Sequence, residues 1–102
     1  GLSAVRRSSA LPDVPTIAES GVPGYDMSPW IAAFAPAGTP RAIIDRLNAE
    51  VQRVYRLPEV QERLKSLGLE AVLSTPEELT RYQASEIAKW AKVVKATGIE
   101  SQ

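Results

Sequence analysis

An α/β fold of three main helices and two or three short strands is predicted for this chain of 102 residues, on three observations. Thr-Pro pairs at Thr39-Pro40 and Thr75-Pro76 each open an amphipathic run, residues 26–36 form a continuous apolar stretch, and glycines stand where the helical patterns stop. Threonine caps a helix by accepting a backbone N–H bond. Proline at the first helical position gives up a donor that has no partner there anyway.

Taken in order, residues 1–5 are short and apolar and read as the remnant of a strand, followed by the polar 6–9. Pro12, Pro15, Pro23 and Pro29, with Gly21 and Gly24, keep regular structure brief up to residue 29. Within that stretch, 16–20 is expected to make one or two helical turns, started by Pro15 and ended by Gly21. Asp13 reads as a cap or turn residue, with a role at the mouth of a site as the alternative. From Asp26 to Pro36 the residues Met27, Trp30, Ile31, Ala32, Ala33, Phe34 and Ala35 carry no charge after Asp26, which suits a strand buried on both faces, with Trp30 in the core.

The segment 40–56 places Ile43, Ile44, Leu47, Val51 and Val54 on one face and is a strong amphipathic helix. Pro58 resets the chain, because the residue before a proline avoids helical geometry. A second, shorter helix carries Val60, Leu64 and Leu67 to a stop at Gly68. Residues 69–73 read as a short strand. At Thr75 the pattern TPEE predicts a capping box with Glu78, and the last helix follows with Leu79, Tyr82, Ile87, Trp90 and Val94 on its apolar face and Gly98 at its end.

Composition excludes more than it selects. Hydrophobic residues make up 44% and charged residues 24%, with a formal net charge of +0, the profile of one ordinary globular domain. Charge balance removes the long-range field that would steer the chain to nucleic acid, and the adjacent Arg6 and Arg7 read as solvated surface. Cysteine and histidine are both absent, which removes disulfides, thiolate nucleophiles, imidazole shuttles and most transition-metal sites. Glu59, Glu62, Glu77 and Glu78 fall in the first turns of predicted helices, where they complement the helix dipole rather than serve catalysis. No carboxylate stands alone in an apolar setting as a general base would. No cofactor, metal site or enzymatic activity is expected. No apolar run approaches the roughly 20 residues that span a bilayer.

Three helices with two or three short strands make a poor sheet by themselves, since its edges need neighbours or a covering layer. The sequence therefore reads as part of a larger unit, or as an interaction module completed by a homodimer or strand-swapped dimer through the Trp30 strand and last helix. The residues also carry a resemblance. LPDVPTIAESG, then PGY, then the Trp-containing stretch into FAPAGTP, then RLNAEV, PEVQERLKSLG, TPEEL and KWAKVVKATGI resemble, in this order, the carboxy-terminal third of the periplasmic receptors of tripartite tricarboxylate transporters, the Bug proteins. The similarity runs from Leu11 to Ile99 and departs from the family in length, the amino-terminal two thirds being missing.

The resemblance implies a two-lobed α/β receptor of the venus-flytrap kind, exported to the periplasm, which holds a small carboxylate-bearing solute in its cleft and passes it to a membrane permease. It implies that residues 1–25 end the second lobe, 26–36 contain a crossing strand, and 37–102 return to the first lobe. The hinge would then lie at Asp26, Met27, Ser28, Pro29 and Trp30, and the LPDVPT loop would contribute Asp13 and Thr16 to the cleft wall. Family members hold the carboxylate through backbone N–H groups, small hydroxyls and bridging waters, consistent with a chain that has no histidine.

Overall fold

Helices α1 (Arg41–Tyr55), α2 (Pro58–Ser66) and α3 (Pro76–Thr97) follow one another in a computed structural model that describes residues 1–99. Helix α3 begins as its sequence predicts: the Glu78 N–H donates to the Thr75 hydroxyl oxygen at 3.2 Å, while the Thr75 N–H donates to the Glu78 carboxylate at 2.7 Å. This reciprocal capping box satisfies two backbone donors at once. Helix α3 ends at Gly98, whose φ of 66° is open to glycine at little cost. Helix α2 starts with Pro58 and closes through a paired bond set, Leu69 N–H to Leu64 O and Gly68 N–H to Lys65 O, with Gly68 at φ 70°. That is a Schellman ending, and it needs the glycine.

Helix α1 departs from expectation at its start. The Thr39 hydroxyl donates to the Pro36 carbonyl at 2.8 Å, so the cap position falls to Pro40, which has no side chain to offer. The tie is instead made beyond the cap: Arg41 pairs with Asp45 at 2.7 Å and with Glu77 at 2.5 Å, joining the first turns of α1 and α3. The Asn48 amide donates to Ser74 O at 2.9 Å and strengthens the same junction. Among the acidic residues expected in first turns, Glu59 and Glu77-Glu78 lie there, whereas Glu62 sits further along α2.

No strand forms among the described residues, and the α/β expectation gives way to a helical chain with extended connections. Residues 1–5 keep one trace of a strand, a single parallel bridge between Leu2 and Thr16. Residues 69–73 form neither strand nor bridge, and Val72 is 81% exposed. The apolar stretch 26–36 forms no strand either, its one backbone tie to a distant segment being Met27 N–H on Ser3 O; most of it is exposed, with Ile31 at 94%, and Trp30 lies at the surface rather than in a core. Strand character needs a ladder of several bonds: residues 1–5 meet their neighbours only at the Leu2–Thr16 bridge and at Met27, and no bridge reaches 28–36 or 69–73.

The apolar periodicities predict the helices correctly but not a closed core. The face of α1 that carries Ile43, Leu47, Val51 and Val54 is open, and no hydrophobic side chain is fully buried among the described residues. The radius of gyration is 16.7 Å, against about 13 Å for a compact domain of this length. The accessible surface is 8421 Å², against roughly 5,600 Å² for a folded monomer of this mass. Polar links at the α1–α3 junction, rather than a filled interior, give this arrangement its definition.

Candidate functional site

Two regions are built with more care than their surroundings, a turn near the start of the chain and the place where residues 26–30 meet α3. The first is the turn that carries LPDVPT. Its base is the bridge at Leu2, whose N–H donates to Pro15 O at 2.9 Å and whose carbonyl accepts from Ile17 N–H at 2.8 Å. Between these bonds lies Thr16, 1% exposed. Its N–H donates to the Glu19 carboxylate at 2.7 Å, and its hydroxyl oxygen accepts from Glu19 N–H at 3.1 Å. Residues 17–20 continue as successive turns, closed by Ser20 N–H on Thr16 O and released at Gly21, whose φ is 116°. The short helical piece expected here is thus a set of turns capped by Thr16 itself, not by Pro15.

The outer edge of the turn is held by Arg7. Its Nε donates to both Glu19 oxygens at 3.2 and 3.0 Å, and its Nη1 donates to the Pro12 carbonyl at 3.2 Å. The Arg7 bond, and then the Thr16 N–H, hold the Glu19 carboxyl below its ordinary value. Asp13 stands exposed at the tip, where Val14 N–H closes on Leu11 O at 3.1 Å. Further out, the Ser9 N–H and hydroxyl both donate to Glu70 at 3.1 Å, which lowers the Glu70 pKa and ties the turn to the segment before α3.

The second region anchors the ribbon 26–36 at its beginning. Lys89 of α3 donates to the Asp26 carbonyl at 3.0 Å and pairs with Glu86 at 2.6 Å. Glu86 is the one buried charged residue among the described residues, and the Trp90 indole N–H donates to it at 3.1 Å. The mutual bond lowers the Glu86 pKa and raises that of Lys89. One turn back, Tyr82 meets Trp30 edge to face, with centroids 5.5 Å apart and planes at 78°, the arrangement that suits the ring quadrupoles. Burial, then the nearby Glu86 and Asp26 carboxylates, push the Tyr82 phenol up. Met27 N–H donates to Ser3 O at 2.9 Å, and the Ser28 hydroxyl donates to Asp26 at 3.0 Å.

Of the residues predicted for the site, Asp13 and Thr16 share one turn, Asp13 outward and Thr16 inward with both its polar groups engaged. Of the residues 26–30, Asp26 and Trp30 touch α3, through Lys89 and Tyr82, while Met27 bonds to Ser3 and Ser28 to Asp26. Sequence reasoning missed Glu19 and took Arg7 for solvated surface, yet Thr16 and Glu19 stand in the same spacing as Thr75 and Glu78 and carried the same capping signal. Glu86 and Lys89 carried no such signal for Asp26, 63 residues from Lys89. Among the described residues no acidic group has metal-holding geometry, and no helix is long and apolar enough to cross a membrane.

This backbone belongs to a known class. Over 98% of the chain it superposes on 34% of the periplasmic binding protein BugD, with a TM-score of 0.80 and 35% identity. It superposes similarly on R. palustris Rpa4515, a structure with adipate, with a TM-score of 0.78 and 37% identity over 95% of this chain and 32% of that one. Residues 1–99 match the tripartite tricarboxylate transporter family receptor, and the chain belongs to that family. Among curated relatives, a UPF0065 protein in the tcbD-tcbE intergenic region of Pseudomonas sp. strain P51 is 42% identical across 92% of the chain. BugT of Bordetella pertussis is 40% identical across 90%. The chain spans 28% of the length of each of these two relatives. The comparisons lend no support to a self-paired module.

Proposed function

We propose that the chain serves in a periplasmic receptor, not an enzyme, that captures a small carboxylate-bearing solute between two α/β lobes and delivers it to the membrane permease of a tripartite tricarboxylate transporter. The family match across residues 1–99 carries this reading, and the adipate in a structural neighbour supports a carboxylate as the solute. Residues 1–25 belong to the second lobe, 26–36 cross between lobes, and 37–102 belong to the first. The exposed apolar ribbon and the open face of α1 are consistent with surfaces that meet the rest of such a receptor.

In this reading the turn 12–16 stands at the cleft wall. Asp13 makes the contact and Thr16 holds the turn from within. An ionised Asp13 repels a solute carboxylate unless a proton lies between them, so it accepts from a bridging water, or from a hydroxyl or ammonium group elsewhere on the solute. Asp26 to Trp30 form the hinge, absorbing the rotation that closes the lobes. Calorimetry on the full-length receptor with adipate, succinate, malate, aspartate and citrate tests this: at least one binds, and small-angle scattering contracts on its addition. Silence across the panel would remove the solute class. Asp13→Asn weakens malate or aspartate more than succinate, and an equal effect on all three would take Asp13 out of the cleft wall.

A further inference from the structure

We infer that Arg7 and Glu19 are positioning residues, whose ion pair brackets the turn 12–16 and fixes the geometry in which Asp13 is presented. The inference rests on the reading of this turn as cleft wall. It begins from the bonds at the two ends of the turn. At one end the Pro12 carbonyl accepts from Arg7 Nη1, and at the other the Thr16 N–H donates to Glu19. Arg7 Nε and the Glu19 carboxylate then join the two ends directly. Pro12 and Pro15 fix their own φ and bring no N–H, so the turn has few backbone donors with which to set its own shape. The side-chain bracket takes over that work.

Both partners are half exposed, with side-chain exposures of 45% and 47%. Exposed ion pairs contribute little to global stability, and a fully buried Thr16 beneath them already anchors the base. The geometry of the bracket is its distinctive content. Arg7 uses a planar fork to hold a carboxylate and a carbonyl together, a task that lysine, a single point charge, performs only in part. A turn that wanders when the fork is lost presents Asp13 correctly for a fraction of the time, and apparent affinity falls by that fraction.

The test is hydrogen exchange on the full-length receptor, comparing the turn with α3 in wild type, Arg7→Met, Arg7→Lys and Glu19→Gln. Arg7→Met should raise exchange in residues 12–19 by about tenfold while α3 is unchanged. Arg7→Lys should restore part of the protection, and Glu19→Gln, whose amide oxygen still accepts from Thr16, should lose less than Arg7→Met. Unchanged exchange in the turn overturns the inference, and so does a rise shared equally by α3, which would mark the pair as part of general stability. Calorimetry of the same proteins with malate and aspartate supplies the second readout, with Arg7→Met weaker by about tenfold for whichever binds. Altered exchange in the turn with unaltered affinity for that solute removes the positioning role. A wild-type receptor that binds neither counts against the cleft-wall reading of Asp13, and the exchange comparison still decides whether the bracket holds the turn.

Discussion

The turn 7–19 and the ribbon 26–36 are neighbours in sequence and opposites in construction. The turn is closed mostly by polar bonds among its own residues and to Leu2, with the Arg7–Glu19 pair across it and Ser9 tied out to Glu70, and it buries its central threonine. The ribbon is apolar and held only near its beginning, by Ser3 and by Lys89 and Tyr82 of α3, while Ile31 and Phe34 project into solvent. Polar closure is local and survives without neighbours, whereas apolar extended backbone is defined only by what covers it.

That contrast breaks hardest at Lys89. Lys89→Met leaves Glu86 buried with only the Trp90 indole as partner and frees the Asp26 carbonyl, so it should produce the largest fall in Tm of the series. The ribbon's NMR shifts should move while those of 12–19 stay. Trp30→Ala removes an edge-to-face pair of about 0.5–1.5 kcal/mol beyond its buried area, and chemical denaturation should register it with the turn again unaffected. Thr75→Ala deletes a cap common to neither region, at a cost of about 1 kcal/mol, and should shift both by the same amount.

Alkali and acid sharpen the comparison with the smallest perturbation. The folded pKa of Lys89 is raised above 10.5 and that of Tyr82 above 10.0, so the stability they contribute is complete below those values and is lost as pH rises through the folded ones. Arginine keeps its charge over that range. NMR as pH is raised beyond 10.5 should therefore show the ribbon anchor loosening before the turn. In acid the two regions converge: Glu19 and Glu86 are both lowered from 4.5, so their contributions are present above that value and lost as pH falls through the folded pKa of each. An alkaline transition that begins in residues 12–19 would reverse the assignment.

Legibility followed the same divide. Proline, glycine and capping signals located all three helices, and the TPEE box and Gly98 appear where their side chains and φ require. Those rules are local, so one sequence suffices to apply them. Strands at 26–36 and 69–73 were read from apolar character alone, and they failed because pairing is a relation between segments that composition does not contain. Thr39 is not the cap because α1 begins one residue later than expected, at Arg41, which leaves Pro40 in the cap position while the Thr39 hydroxyl donates back to Pro36 O. At the candidate site, Asp13 and Thr16 were visible in a Pro-rich turn, and Glu19 was visible in principle as the third residue after a threonine. Lys89 reaching Asp26 was not, because nothing in either residue's surroundings names the other.

The Lys89 tie also orders events during synthesis. A ribosome delivers about 5–20 residues per second, and Lys89 follows Asp26 by 63 residues. The nascent ribbon therefore waits roughly 3–13 s for its α3 anchor, with Trp30, Ile31 and Phe34 displayed throughout, while the Arg7–Glu19 bracket of the turn is complete as soon as residue 19 has emerged. A chaperone that recognises apolar segments would find all three side chains there, and the arrival of α3 would engage Trp30 while leaving Ile31 and Phe34 exposed.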